Sequence, residues 1–184
     1  MTVTTAKWTL HDYHRMIEVG LLESRHVELL NGEIIEMPPE GEPHAYYRTQ
    51  AKDYLKELLG TRVKIREAAP ITIPDSASEP EPDIAIVQPL GREYLQHHPY
   101  PENIFWLIEF SNTSLAKDLD IKRKAYASAS ILEYWVMNLK NRHLKVFRDP
   151  VNGDYASESI LTAGEIRPLA FPDVVVSVQR LLEG

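Results

Sequence analysis

The chain has 184 residues, 43% of them hydrophobic and 26% charged, which suits one globular domain with a core of useful size. It contains no cysteine, so disulfides, zinc–thiolate sites and cysteine nucleophiles are excluded together, and any metal must be held by oxygen or imidazole. The net charge of −7 argues against sequence-independent coating of nucleic acid, an affinity that comes mostly from Lys and Arg neutralising phosphates.

The opening MTVTTAKWTL lacks the apolar core of a signal peptide, and no later run approaches the roughly 20 apolar residues of a membrane span. A cytoplasmic location is therefore expected. The charge is unevenly spread: between Lys117 and Arg148 eight basic residues face three acids, a net of +5 that leaves −12 for the remainder.

Thr9 is placed to cap a helix over residues 10 to about 20, with Leu10, Tyr13, Ile17 and Leu21 spaced for one apolar face. Val27-Glu28-Leu29-Leu30 and Glu33-Ile34-Ile35-Glu36 flank Asn31-Gly32, the pair that best tolerates positive φ, so a β-hairpin follows. Pro38, Pro39, Gly41 and Pro43 form a loop, and the spacing of Tyr47, Ala51, Tyr54, Leu55 and Leu58 predicts a helix over 44–59 that Gly60 ends. Residues 62–66 and 71–73 read as a strand pair or one bent strand.

Residues 83–87 are a short apolar strand with Asp83 at its entrance, and 91–101 a loop or short helix carrying His97 and His98, expected to be solvated. Ile104, Phe105, Trp106, Leu107 and Ile108 are apolar without alternation, the pattern of a strand covered on both faces, and Glu109 interrupts them. Thr113 or Ser114 can cap a helix running to about Ser130. Strands are expected at 132–138, 144–147, 159–161 and 174–178, with a turn around Asn152-Gly153. No internal repeat or low-complexity tract appears, so residues 1–184 are expected to form a single domain with a mixed sheet and helices packed on it.

Asp83 and Glu109 are the first candidates for chemistry, because adjacent strands could bring both carboxylates to one end of the sheet. Two such acids repel unless a cation lies between them, and hard oxygen ligands favour Mg²⁺ or Mn²⁺. The structural alternative is that Asp83 caps a turn after Pro82 and Glu109 pairs with a lysine. Asp118, Lys122 and Tyr126 recur at intervals of four and share one helix face, while Lys124 points elsewhere. Lys122 either reaches the acids, where it could stabilise a phosphorane or an attacking hydroxide, or forms an ordinary helix pair with Asp118. Glu28 either points inward or pairs with Arg62 or Arg66, and His44 either caps its helix or reaches the site. Tyr94, Tyr100 and Trp135 read as core or interface residues rather than base-stacking platforms. No glycine-rich phosphate loop or nucleophile elbow is present.

The ordered set of pieces resembles the Uma-type family of restriction-endonuclease-like proteins, a branch of the PD-(D/E)XK nuclease superfamily. The pieces are Val27-Glu28-Leu29-Leu30-Asn31-Gly32-Glu33-Ile34, the proline loop leading to His44, Glu81-Pro82-Asp83-Ile84-Ala85-Ile86-Val87, Ile108-Glu109-Phe110-Ser111-Asn112-Thr113-Ser114-Leu115, the Asp118, Lys122, Tyr126 spacing and Glu133-Tyr134-Trp135-Val136. The resemblance implies an α/β restriction-endonuclease-like core, a mixed central sheet flanked by helices, with an added N-terminal helix and β-hairpin. It further implies metal-dependent phosphodiester hydrolysis with Mg²⁺ or Mn²⁺, in which Asp83 and Glu109 are metal ligands and Glu28 an auxiliary acid. The superfamily lysine would stand two residues after Glu109, where this chain has Ser111, and Lys122 is the implied substitute. DNA is the implied partner, and a homodimer is expected because cutting a duplex needs two scissions. The competing expectation is a non-catalytic binding or assembly protein that retains the fold, which the net acidity and Ser111 both favour.

Overall fold

The computed structural model describes residues 5–111 and 118–184. The proposed helix cap at Thr113 or Ser114 lies outside them. Helix α1 (Leu10–Glu18) begins at Thr9, whose side chain accepts from the Asp12 backbone while the Asp12 carboxylate accepts from the Thr9 backbone, a reciprocal capping box. Only Tyr13 of its apolar face is buried. Strands β1 (Val27–Leu30) and β2 (Glu33–Glu36) pair antiparallel across Asn31 and Gly32, at φ 51° and 73°. A Cβ at Gly32 would stand 2.9 Å from Lys7 Cβ, so glycine is required there for space as well as for φ.

Helix α2 (Glu42–Leu59) starts two residues earlier than expected, because Pro43 suits a first helical turn whose N–H groups are unpaired anyway. The main sheet has six strands: β3 (Lys64–Glu67), β4 (Ile84–Val87), β5 (Ile104–Ser111), β6 (Glu133–Asn138), β7 (His143–Val151) and β8 (Asp154–Leu161). They lie in that spatial order, antiparallel throughout except for the parallel pair β5–β6. The crossover between the parallel strands carries a wide π-helical turn (Asp118–Lys122) that runs into helix α3 (Arg123–Ser128). The chain closes with the short pair β9 (Glu165–Ile166) and β10 (Val176–Ser177) and helix α4 (Val178–Glu183).

Alternation along the strands sorts the core into two buried clusters, one on each face of the sheet. Ile84, Ile86, Trp106, Ile108, Phe110 and Trp135 face α2 and α4, while Ala85, Val87, Leu107, Tyr134 and Val136 face Tyr126 and Ala127 of α3. Covering both faces explains why β5 reads as an unbroken apolar run. Among the described residues, no helix is long and apolar enough to cross a membrane.

Three expectations are corrected. Residues 71–73 form no strand of the sheet; Ile71 and Ile73 are buried in an extended connection with one isolated bridge, Ile73 to Ser78. The strand expected over 174–178 is only two residues long, since the Ser177 hydroxyl accepts from Arg180 N and starts α4, whose Val178, Leu181 and Leu182 are buried. Strands β7 and β8 extend well past 144–147 and 159–161, because the turn at Asn152 and Gly153 lets them pair through polar, half-exposed residues.

Candidate active site

The antiparallel register of β4 and β5 pairs Ile84 with Ile108, which sets Asp83 one step further on, opposite Glu109. The two carboxylates interlock through each other's backbone. Asp83 N donates to Glu109 Oε2 at 3.3 Å, and Phe110 N donates to Asp83 Oδ2 at 2.6 Å. Lys122, on the π-helical turn, donates from Nζ to Glu109 Oε1 at 2.8 Å and to the Glu81 carbonyl at 3.3 Å. Tyr126, four residues on, adds its hydroxyl to the same Oε1 at 3.1 Å. Lys122 thus pairs with Glu109 rather than with Asp118, and π-helical insertions of this kind recur at functional sites.

Ser111 stands where the superfamily lysine was expected. Its hydroxyl donates to Asp118 Oδ2 at 2.6 Å, and Tyr134 OH donates to the Asp118 carbonyl at 3.2 Å. The serine therefore ties down the first residue of the turn that carries Lys122.

Glu28 is buried and turns inward, its Oε2 accepting from Glu81 N at 3.1 Å and standing 3.4 Å from Lys122 Nζ. The alternative partners are taken elsewhere: Arg62 pairs with Asp173, and Arg66 donates to the Pro70 carbonyl and His98. His44 reaches the site, with Nε2 3.0 Å from Asp83 Oδ2 and Nδ1 bonded to Glu40. His97 and His98 are half-buried rather than solvated; the His97 ring stacks on Tyr100 with centroids 4.5 Å apart. Lys124 points away as expected and pairs with Asp120 on the surface.

The electrostatics follow from this crowding. Burial pushes the Glu109 carboxyl well above the usual glutamate range; Lys122 pulls it down, but Asp83 and Asp118 push it up again. Burial alone would lower the Lys122 ammonium, yet Glu109, Glu28 and Asp118 together hold it above its ordinary value, so it stays cationic. Burial would raise Asp83, but the bond and charge of His44, the Phe110 N–H and Lys122 hold it below the usual aspartate range. For His44 the burial penalty is outweighed by Asp83 and Glu40, which push its pKa up to about 9.

A cavity of about 320 Å³ opens over the pair, walled by the proline loop, His44, Arg48, Glu81, Asp83, Glu109 and Lys122. Glu28 does not line it. Among the described residues no group of three or more His, Asp or Glu side chains is arranged to hold a metal ion. Two adjoining carboxylates, however, suit a hard divalent cation that keeps most of its waters. A carboxyl pushed above its ordinary range by burial, with Asp83 and Asp118 adding to it, is also the kind of group that gains from such a cation. The donor set fits Mg²⁺ or Mn²⁺ on those two grounds.

The sequence pattern missed Tyr126 as a donor to Glu109, the anchoring of Asp118 by Ser111, and the backbone of Glu81, which serves both Glu28 and Lys122. The interval of four that paired Lys122 with Tyr126 was the available signal for the first; backbone contacts leave none.

A protein-family model described as "Uma2: Putative restriction endonuclease" matches residues 10–179. No curated protein gives a significant match. Among solved structures, the chain is similar in fold to a "putative nuclease belonging to DUF820" from Anabaena variabilis ATCC 29413. The TM-score is 0.70 with 15% sequence identity, over 95% of this chain and 97% of the other.

Proposed function

Because the chain belongs to the Uma2 family, described as "Putative restriction endonuclease", we propose that it is a metal-dependent endonuclease acting on DNA. The observation that carries this reading is the interlocked pair Asp83 and Glu109 at one end of the sheet, under an open cavity, with Lys122 in its wall. Asp83 and Glu109 would hold Mg²⁺ or Mn²⁺, which when bound supplies a Lewis acid for a phosphoryl oxygen and a water of lowered pKa.

The chain's own groups do the rest. Lys122 and Tyr126 both engage Glu109 Oε1, which orients the carboxylate and leaves Oε2 toward Asp83. Lys122 also presents a fixed positive charge to the cavity, where negative charge builds on the phosphoryl oxygens as a water attacks phosphorus. Glu28 acts as a positioning residue, steadying Lys122 from behind instead of exchanging protons with substrate. Ser111 performs a related task through Asp118. A single-domain, cytoplasmic homodimer belongs to the same proposal, since cutting a duplex needs two scissions.

One observation favours the alternative, a non-catalytic binding or assembly protein: both acids already face a protein cation, Asp83 that of His44 and Glu109 that of Lys122. Cleavage separates the two. Purified protein with Mg²⁺ or Mn²⁺ is expected to nick or cut DNA, with RNA run in parallel. Chelation, Asp83→Ala and Glu109→Ala are each expected to abolish the cut. Cleavage that survives both substitutions sinks the nuclease assignment.

A further inference from the structure

A second cavity, of about 470 Å³, is lined by residues of the connection from β3 to β4, among them Thr72 and Glu79, and plays no part in the chemistry above. Its floor is Glu79, 4% exposed, fixed by a backbone bond from its N–H to the Leu29 carbonyl at 2.7 Å. The Thr72 hydroxyl donates to Glu79 Oε2 at 2.9 Å, and His14 Nε2 lies 2.9 and 3.0 Å from the two oxygens. Each carboxylate oxygen has two acceptor sites, so Oε2, which takes Thr72 and His14, is filled, Oε1 keeps one, and a ligand that displaces His14 gains one on each. The His14 side chain, which lines the cavity, is 47% exposed, so an incoming ligand can displace it toward solvent.

His98 supplies the opposite polarity. Arg66 Nη2 lies 3.2 Å from His98 Nδ1 and can only donate, so Nδ1 accepts and Nε2 carries the hydrogen. Burial holds His98 below the usual histidine range, in keeping with a neutral ring. His98 lines the cavity, and its Nε2 makes no hydrogen bond with a described residue. The walls are aromatic: Tyr94 meets His97 edge-on, and His97 stacks on Tyr100 with the rings 15° apart.

A buried carboxylate, a free imidazole N–H and flat aromatic walls together specify a planar ligand whose edge offers adjacent N–H donors and a neighbouring carbonyl. Among nucleobases that edge belongs to guanine, with N1–H and N2–H₂ for Glu79 and O6 for His98. We infer that this cavity is a guanine-recognition pocket, built on Glu79 and His98, that gives the protein a base preference beside its cleavage site.

The base preference rests on the nuclease reading; the pocket itself does not. The two sites share one stretch of chain. Glu79 lines one cavity and Glu81, two residues on, lines the other.

The test is calorimetric titration of the full chain, without divalent metal, with guanosine, adenosine, cytidine and uridine. Saturable binding of guanosine is expected, at least roughly tenfold tighter than the other three, as one well-made base-edge contact provides. Glu79→Gln and His98→Ala should each weaken it about tenfold, and Asp83→Asn should leave it unchanged. Glu79 also braces α1 through His14, so the circular dichroism of each variant is recorded, and His98→Ala decides if Glu79→Gln does not fold. No guanosine binding, equal binding of all four nucleosides, or binding that His98→Ala leaves intact overturns the pocket. Guanosine binding without metal-dependent cleavage would overturn the nuclease proposal alone, and cleavage without guanosine binding the pocket alone.

Discussion

Two glutamates are buried on the neighbouring parallel strands β5 and β6, and they behave oppositely. Glu133, at the start of β6, has donors on both oxygens: Oε1 takes the indole N–H of Trp135 at 2.9 Å and two N–H groups of Arg148, while Oε2 takes Leu169 N at 2.7 Å. Neither of the cavities described above touches it. Glu109, near the end of β5, has Lys122 and Tyr126 on one oxygen and a longer contact from Asp83 N on the other, sits among further carboxylates, and opens onto a cavity. A buried acid alone therefore marks no site. The distinction lies in whether donors satisfy it or other acids crowd it, and the open carboxyl ends of parallel strands are where the crowded kind belongs.

The sharpest way to break this contrast is to exchange the phenotypes. Glu133→Ala strands Arg148 and the Leu169 N–H, and should cost about 3 kcal/mol, toward the low end for a broken buried pair because Arg148 is 26% exposed. In a chain of this length that is about 10 °C in Tm, read by thermal denaturation, with DNA cleavage by the folded protein unchanged. Glu109→Gln should do the reverse: cleavage falls about 100-fold or more, while Tm holds within about 2 °C, because the burial penalty on the carboxylate and the repulsion from Asp83 and Asp118 leave with the charge, and Glu28 and Asp118 still face Lys122.

A smaller effect sharpens the role of the serine. Ser111→Ala removes the 2.6 Å bond to Asp118 and should cost about 1 to 2 kcal/mol in denaturant unfolding. Because Lys122 rides on that turn, kcat should fall several-fold with little change in KM; a stability loss with kcat intact would make Ser111 structural only.

The smallest prediction concerns a surface counterpart of these clusters. Burial would raise the Glu67 carboxyl, but Lys52 and Arg48 hold it below the ordinary glutamate value of 4.5. A group whose folded pKa is depressed stabilises above its unfolded value and loses that contribution as pH falls through the folded one. Glu67→Gln should lower Tm by about 1 to 2 °C at pH 7, with the deficit fading below pH 4.5, as thermal melts across pH would read.

Much of the frame was legible in the residues themselves. The hairpin followed from Asn31 and Gly32, the doubly covered β5 from its unbroken apolar run, and the juxtaposition of Asp83 and Glu109 from two short strands each carrying an acid at its end. The interval of four brought Lys122 forward with Asp118 as its alternative partner, and the family resemblance chose the acids. What stayed hidden depends on partners distant in sequence. Nothing near Glu133 announces that Arg148 and Leu169 will satisfy it, and nothing near Glu79 announces His14. The end of the chain was misread for another reason, since a short apolar run such as 174–178 fits a strand or a buried helix equally well until Ser177 caps it.

Asp83 and Glu109 are proposed to form a divalent-cation site that Glu133 does not share. Calorimetric titration with Mn²⁺ tests this directly on the wild type, Asp83→Asn, Glu109→Gln and Glu133→Gln. Saturable binding is predicted in the wild type and in Glu133→Gln, weakened about tenfold or more in the other two. Absence of binding in the wild type, or binding that neither Asp83→Asn nor Glu109→Gln weakens, would contradict it.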